Sequence, residues 1–105
     1  MVVRDMISDV VKRTIEVFYP AEDSNEALNR VVLEWLDSKT SKLEEKIMEF
    51  ERKYGTEFTE FDDRIKKEGV SFEEEDDWID WGDYIELLGS LKKYRRDVLL
   101  QLKRR

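Results

Sequence analysis

Apolar residues along this chain recur at steps of three and four, which is the spacing of one face of an α-helix. The pattern predicts four helices, which cover approximately residues 2–18, 25–54, 59–68 and 75–103. No stretch of the sequence alternates apolar and polar residues with the period of two that marks a half-buried strand. The pattern therefore predicts an all-α protein in which residues 1–105 form a single helical domain.

Residues that end or begin helices lie between these segments. The first helix is expected to end before Pro20, because the residue that precedes a proline is pushed out of the helical region. Gly55 is expected to follow the last residue of the second helix, in the position where glycine commonly ends helices. Thr59 followed by Asp62 is related to a capping box and predicts the start of the third helix. Residues 70–72 are predicted to be a connector.

The second and fourth helices each carry a seam of apolar residues with heptad-like spacing. The second helix would be about 45 Å long at 1.5 Å per residue, and a helix of that length cannot bury its seam alone. We expect it to pack against the fourth helix, while the first helix closes a bundle or mediates a dimer. Two seams and a third apolar stripe exceed what a monomer of 105 residues can bury. The sequence therefore predicts a long-helix hairpin or small helical bundle that forms a coiled-coil-like dimer.

The residue types that are absent exclude most enzyme chemistry. The chain has no Cys and no His, so it has no disulfides, no thiolate nucleophile, no common zinc site and no imidazole acid–base catalyst. It also lacks a Gly-rich phosphate loop and a nucleophile elbow. An EF-hand loop around Gly82 fails because Ile79, Trp81 and Leu88 occupy ligand positions. We therefore expect no enzymatic activity, no cofactor and no metal site.

The charge balance also limits the classes of partner. Lys and Arg number 19 and Asp and Glu number 26, so the net charge of −7 repels nucleic acid and anionic membranes. Charged residues interrupt the first 18 residues at every turn, so they form neither a signal peptide nor a membrane span. We expect a cytoplasmic protein. Its many Glu, Lys and Arg residues are typical of the surface ion-pair networks of thermophiles.

Charge is distributed unevenly along the fourth helix. Every charged residue between Gly69 and Leu91 is acidic, and these are Glu73, Glu74, Glu75, Asp76, Asp77, Asp80, Asp83 and Glu86. The charged residues of the segment 92–105 are all basic except Asp97. This polarity complements the helix macrodipole, whose effect fades within the first and last turns. The dipole therefore accounts for the first carboxylates and leaves the later ones to be explained.

The later carboxylates surround three aromatic residues. An acidic surface with aromatic anchors suits a basic protein partner, because aromatic burial supplies affinity and charge steers the encounter. We predict a partner-binding site in which the anchors are Trp78, Trp81 and Tyr84, and the carboxylates that pair with Lys or Arg are Asp76, Asp77, Asp80 and Asp83. The alternative is that the aromatic residues belong to the core, as large apolar residues at helical spacing usually do.

One stretch of the sequence resembles a known group of proteins. Glu49-Phe50-Glu51-Arg52-Lys53-Tyr54-Gly55 is followed by Thr59-Glu60-Phe61 and, beyond a glycine and an acidic run, by Asp80-Trp81. Over approximately residues 43 to 91, this pattern is similar to small helical antitoxin-type proteins of archaea and bacteria, which are often encoded beside a small toxin. The similar members carry E-F-E-x-K-Y-G, a short capped helix with Phe, and a later segment of the form E-W-x-x-L. The resemblance implies a helical protein that binds and neutralises a toxin-like partner.

Three functions remain open at this point. The first is an antitoxin-like module that neutralises a basic partner, such as a ribonuclease-type toxin, through the acidic and aromatic surface of residues 73 to 88. The second is a coiled-coil-like homo-oligomer or scaffold subunit, whose tryptophans are core and whose charges only solubilise it. The third is a regulator that binds nucleic acid through the basic residues 92–105, which the net negative charge disfavours.

Overall fold

The computed structural model describes residues 8–20 and 24–103, and within these ranges it contains α-helices and no strand. The helices are α1 (Asp9–Phe18), α2 (Ser24–Tyr54), α3 (Phe58–Glu68) and α4 (Phe72–Lys103). The prediction of an all-α protein is therefore confirmed. The start of the first helix was expected near residue 2, which lies outside the described residues. In the part that is described, Ser8 caps α1, since its hydroxyl accepts a hydrogen bond from the Val11 amide at 3.2 Å.

The fourth helix begins at Phe72, earlier than the sequence pattern predicts. Ser71 starts it with a capping box, in which the Ser71 hydroxyl accepts from the Glu74 amide at 3.2 Å and donates to the Glu74 carboxylate at 2.9 Å. This S-x-x-E signature stands in the sequence. The predicted start near residue 75 was wrong, because Phe72, which was predicted to belong to the connector, is already the first residue of α4.

The third helix begins one residue before its predicted start. Thr59 lies inside α3, which runs from Phe58, and Glu57 at the N-cap makes no side-chain capping bond. The Phe58 ring meets the Trp81 ring edge-on with centroids 5.3 Å apart. The first residue of α3 is therefore Phe58, which packs against Trp81, and Thr59 is not its cap.

Two left-handed glycines end α2 and α3. Gly55 has φ of +66° and its N–H donates to the Glu51 carbonyl at 2.8 Å, as predicted for the end of the second helix. Gly69 has φ of +87° and donates to the Ile65 carbonyl at 2.8 Å. An L side chain rarely adopts these φ values, so glycine suits both positions.

Helices α2 and α4 pack antiparallel along most of their length. Lys53 at the end of α2 meets Asp77 near the start of α4, whereas Asp37 near the start of α2 meets Arg95 near the end of α4. The packing of the second helix against the fourth is thus as predicted. The molecule is elongated, and its longest dimension is 56 Å.

The core has two centres along this helix pair. Near its middle, the buried residues are Leu36, Leu43 and Leu91, with Tyr84, Leu88 and Val98 packed against them. Toward the α2–α3 turn, the buried residues are Phe61, Ile65 and Trp81, and the partly buried residues around them are Ile47, Phe50, Tyr54, Phe58 and Trp78. The short helix α3 therefore covers one end of the α2–α4 pair, and an aromatic cluster fills the contact between them.

Gly82 permits a close approach between α3 and α4. A Cβ at this position would lie 3.2 Å from the Phe58 Cζ atom, which is tighter than ordinary van der Waals contact. The glycine therefore lets the Phe58 ring pack against the α4 backbone. Gly89 has no such neighbour among the described atoms.

Candidate functional site

Trp81 is the centre of the aromatic cluster. Its side chain is fully buried, with an exposed fraction of 0%. Four rings lie within 6 Å of it by centroid distance, namely Phe61 at 5.2 Å, Phe58 at 5.3 Å, Phe50 at 5.4 Å and Tyr54 at 5.9 Å. A partner anchor must be accessible at the surface, so this placement removes Trp81 from the contact residues that the sequence predicts. The alternative of a core residue is correct for this tryptophan.

Trp78 and Tyr84 lie at the border between core and surface. The indole N–H of Trp78 donates to Asp62 Oδ1 at 2.9 Å, which ties α4 to α3. The Tyr84 ring stacks on Phe50 at a centroid distance of 6.1 Å, and Lys46 Nζ lies 5.1 Å from the Tyr84 centroid. Both side chains are half-buried. Part of each ring therefore remains accessible while the rest packs within the fold.

Asp77 serves the contact between α2 and α4. Its Oδ2 atom accepts hydrogen bonds from Lys53 Nζ at 2.6 Å and from the Tyr54 hydroxyl at 2.5 Å. These donors hold the pKa of Asp77 below its usual value. The same contact raises the pKa of Lys53, and burial together with the Asp77 hydrogen bond raises the pKa of Tyr54. Asp77 is thus paired within the chain, whereas Asp76, Asp80 and Asp83 have no such partner among residues 8–20 and 24–103.

Two further carboxylates hold α3 against its neighbours. Glu74 pairs with Arg64, and this contact together with the Ser71 hydrogen bonds lowers the pKa of Glu74. Asp62 pairs with Lys66 at 2.8 Å and accepts from Trp78, and both contacts lower the pKa of Asp62. These acidic side chains already have cationic or N–H partners. They are therefore structural parts of the α3–α4 junction.

Asp76, Asp80 and Asp83 are exposed. In the part of the chain that the structure describes, none of these three aspartates forms an ion pair or a hydrogen bond through its side chain. Ile79 lies between them along α4 and is 48% exposed. Residues three and four apart share one helix face, so Asp76, Ile79 and Asp83 form a row on the side away from Trp81. We call Asp76, Ile79, Asp80, Asp83 and Glu86 the acidic face.

A shallow groove of about 320 Å³ runs between the acidic face and the start of α3. Its lining combines three carboxylates with apolar and aromatic surface, and consists of Phe58, Asp62, Trp78, Ile79, Gly82, Asp83 and Glu86. The long apolar stem of a Lys or Arg side chain could lie against such a surface while its charged head meets a carboxylate. The groove therefore suits a cationic side chain.

The predicted site residues are close together along the chain but do not share one face of α4. Ile79 and Glu86 line the groove but were not among the predicted site residues, whereas Trp81 was included and is buried. The missed signal is the spacing 76, 79, 83 and 86, which repeats at steps of three and four on one face. Position 81 does not fit this spacing, so the same helix geometry places Trp81 on a different face.

The basic end of α4 is partly neutralised by α2. Arg95 Nε lies 2.6 Å from Asp37 Oδ1, and Lys92 Nζ lies 4.0 Å from Glu44 Oε1. Asp37, Lys92 and Arg95 border a groove of about 590 Å³. Within residues 8–20 and 24–103, no group of three or more carboxylates is arranged to hold a metal ion. None of the helices in these ranges is long and apolar enough to cross a membrane.

Comparison with protein-family models, with curated proteins and with solved structures gives no match to this chain.

The depressed carboxylate pKa values lead to a prediction for acid stability. Asp77 takes up a proton at a lower pH in the folded state than in the unfolded state, where an aspartate titrates near pH 4. Its contribution is therefore present above about pH 4 and is lost as the pH falls through the depressed pKa. We expect Asp77→Asn to lower the thermal midpoint at pH 7, and this difference from the wild type to shrink near pH 2.

Asp80→Asn is the matched control, because Asp80 is exposed and has no pairing partner among the described residues. We expect it to leave the midpoint nearly unchanged at both pH values. If Asp77→Asn lowered the thermal midpoint by the same amount at pH 7 and at pH 2, the stabilising role of the ionised Asp77 carboxylate would be contradicted.

Proposed function

We propose that this chain is a non-catalytic protein–protein interaction module that binds and neutralises a basic protein partner through the acidic face. The observation that supports this most is the set of three exposed carboxylates, Asp76, Asp80 and Asp83, which have no partner among the described residues. They flank Ile79, which is half-exposed on the same helix. Unpaired charges beside accessible apolar surface are what an electrostatically complementary partner requires.

In this proposal, the charged and the apolar residues of the acidic face have different roles in binding. Asp76, Asp80 and Asp83 attract and pair with Lys or Arg side chains of the partner, while Ile79 and the exposed edge of Trp78 supply apolar contact. Charge-assisted hydrogen bonds to a guanidinium are about twice as strong as neutral ones. Trp81 acts indirectly, because its burial in the aromatic cluster holds α4 in place and thus keeps the acidic face rigid.

The proposal also includes the architecture, the oligomeric state and the location of the protein. We propose that the chain is a long-helix hairpin, formed by α2 and α4, and that it works as a dimer in the cytoplasm. We propose a neutralising role because residues 43 to 91 resemble antitoxin-type proteins, whose partner is a small toxin. The acidic face lies within that stretch.

A structural homo-oligomer or scaffold subunit is the second candidate. The burial of Trp81 favours it, because that residue then needs no role beyond the core. Several other large side chains are exposed in the described part of the chain, including Phe72 at 93% and Phe18 at 73%. A nucleic-acid regulator is less well supported, because Asp37 already pairs with Arg95 in the basic segment.

The two candidates differ in what the chain binds. We would capture partners of the tagged full chain from its own cell extract at low and at high salt, and identify them by mass spectrometry. The proposal expects one small basic protein that is retained at low salt and lost at high salt, because exposed ion pairs are screened. Recovery of its own chain alone, or of an acidic protein that resists high salt, would contradict neutralisation and favour the structural candidate.

A further inference from the structure

Helix α1 has more apolar surface than the described chain covers. It has ten residues, and isolated helices shorter than about 12–15 residues are marginal in water. Only Ile15 of α1 is buried, whereas Val10, Val17 and Phe18 are 69%, 75% and 73% exposed. A short helix with so little buried surface requires further packing to be stable.

The uncovered surface continues onto α2. A groove of about 500 Å³ lies between the two helices, and its apolar lining includes Val10, Val11, Phe18, Leu28 and Val31. Residues 28 and 31 lie three apart on α2 and so share a face. We call Val10, Val11, Val17, Phe18 and Val31 the N-terminal apolar surface.

We propose that a second copy of this chain covers the N-terminal apolar surface, so that α1 and the start of α2 form the interface of a symmetric dimer. The inference rests on the dimer included in the proposed function, and it assigns that dimer to a surface separate from the acidic face. The two surfaces occupy different parts of the chain, since one lies before residue 35 and the other after residue 75.

Charge distinguishes a second copy from a cationic partner as the occupant. Among the described residues that line the groove, the one charged side chain is Glu34, which accepts a hydrogen bond from the Tyr19 hydroxyl at 2.6 Å. Helix α1 carries two cations, Lys12 and Arg13, and two anions, Asp9 and Glu16. In a symmetric dimer the same patch meets itself, so a neutral apolar patch is compatible with self-association. The acidic face would repel its own copy.

The exposed area agrees with a dimer contact. Taking about 150 Å² for a valine and about 200 Å² for a phenylalanine, the five side chains of the N-terminal apolar surface expose roughly 500 Å². A standard interface buries about 800 Å² per partner, of which the centre is apolar and the rim polar. These side chains would therefore form the apolar centre of such an interface.

The test is the mass of the full chain in solution, measured by light scattering after gel filtration from about 1 to 100 µM. We expect twice the chain mass of 12.7 kDa. Phe18→Ser should raise the dimer dissociation constant at least about 100-fold, because each of the two copies in a symmetric interface loses its Phe18 ring. Phe72→Ser is the matched control, since Phe72 is equally large and 93% exposed but lies on α4, and it should leave the dimer intact.

Circular dichroism checks that each variant remains helical, and Val17→Ser replaces Phe18→Ser if helicity is lost. A wild-type monomer at about 100 µM, or a Phe18→Ser protein as dimeric as Phe72→Ser, would overturn the proposal. Partner capture separates this outcome from a failure of the proposed function. Phe18→Ser should still retain the basic partner, whereas reversing the charge of the acidic face should abolish capture and leave the dimer unchanged.

Discussion

Replacing Trp81 with Ala is expected to lower the free energy of unfolding by about 3–5 kcal/mol, the range for truncating a buried Trp or Phe. The reason is that Trp81 is fully buried and contacts four aromatic rings from α2 and α3. A domain of this size has a total stability of about 5–15 kcal/mol, so the loss removes a large part of it. Urea unfolding followed by circular dichroism measures the change.

Two further variants show that the effect comes from burial. Trp81→Phe should cost only about 1–2 kcal/mol, because the indole N–H is buried without a partner among the described residues and no hydrogen bond is lost. Phe72→Ala removes an aromatic ring from the same helix at a 93% exposed position and should change stability by about 0.5 kcal/mol or less. If Trp81→Ala were as mild as Phe72→Ala, Trp81 could not be at the centre of the core.

Reversing the acidic face should abolish binding to the basic partner while leaving the fold intact. The variant combines Asp76→Lys, Asp80→Lys and Asp83→Lys, three positions that are exposed and have no pairing partner in the described part of the chain. Each change removes an attraction and adds a repulsion, and about 1 kcal/mol at each position already weakens binding at least about 100-fold. Helicity should stay at the wild-type level.

The matched control reverses three exposed acidic residues elsewhere, with Glu45→Lys, Glu49→Lys and Asp97→Lys. Both triple variants change the net charge from −7 to −1, so they share any loss of long-range attraction. We expect the control to weaken binding by less than about tenfold, because the contacts at the interface remain. Equal loss in both variants would mean that net charge alone governs binding.

Local patterns predicted the helices well because helix periodicity and turn residues are properties of short segments. The steps of three and four indicated an all-α chain, Pro20 indicated the end of α1, and Gly55 indicated the end of α2. At the start of α3, Phe58 contacts Trp81, which is distant in sequence, and only the folded structure shows this contact. Ser71 with Glu74, in contrast, is a local signal of the start of α4 that the sequence itself contains.

The site was harder to predict because burial depends on the whole fold. Trp78 and Trp81 are equivalent by residue type and surroundings in the sequence, yet Trp81 faces α2 and α3 and Trp78 lies at the border. Likewise Asp77 and Asp76 are neighbours, but Lys53 and Tyr54 of α2 bind only Asp77. Such differences arise from contacts made by other helices, so composition cannot show which carboxylates remain free.

The measurement that tests the central claim most directly is the dissociation constant of the captured partner, determined by calorimetry with the acidic-face variant and with its matched control. The account predicts a constant at least about ten times larger for the acidic-face variant than for the control, with both proteins as helical as the wild type. Equal constants for the two variants would contradict the claim that Asp76, Asp80 and Asp83 bind the partner.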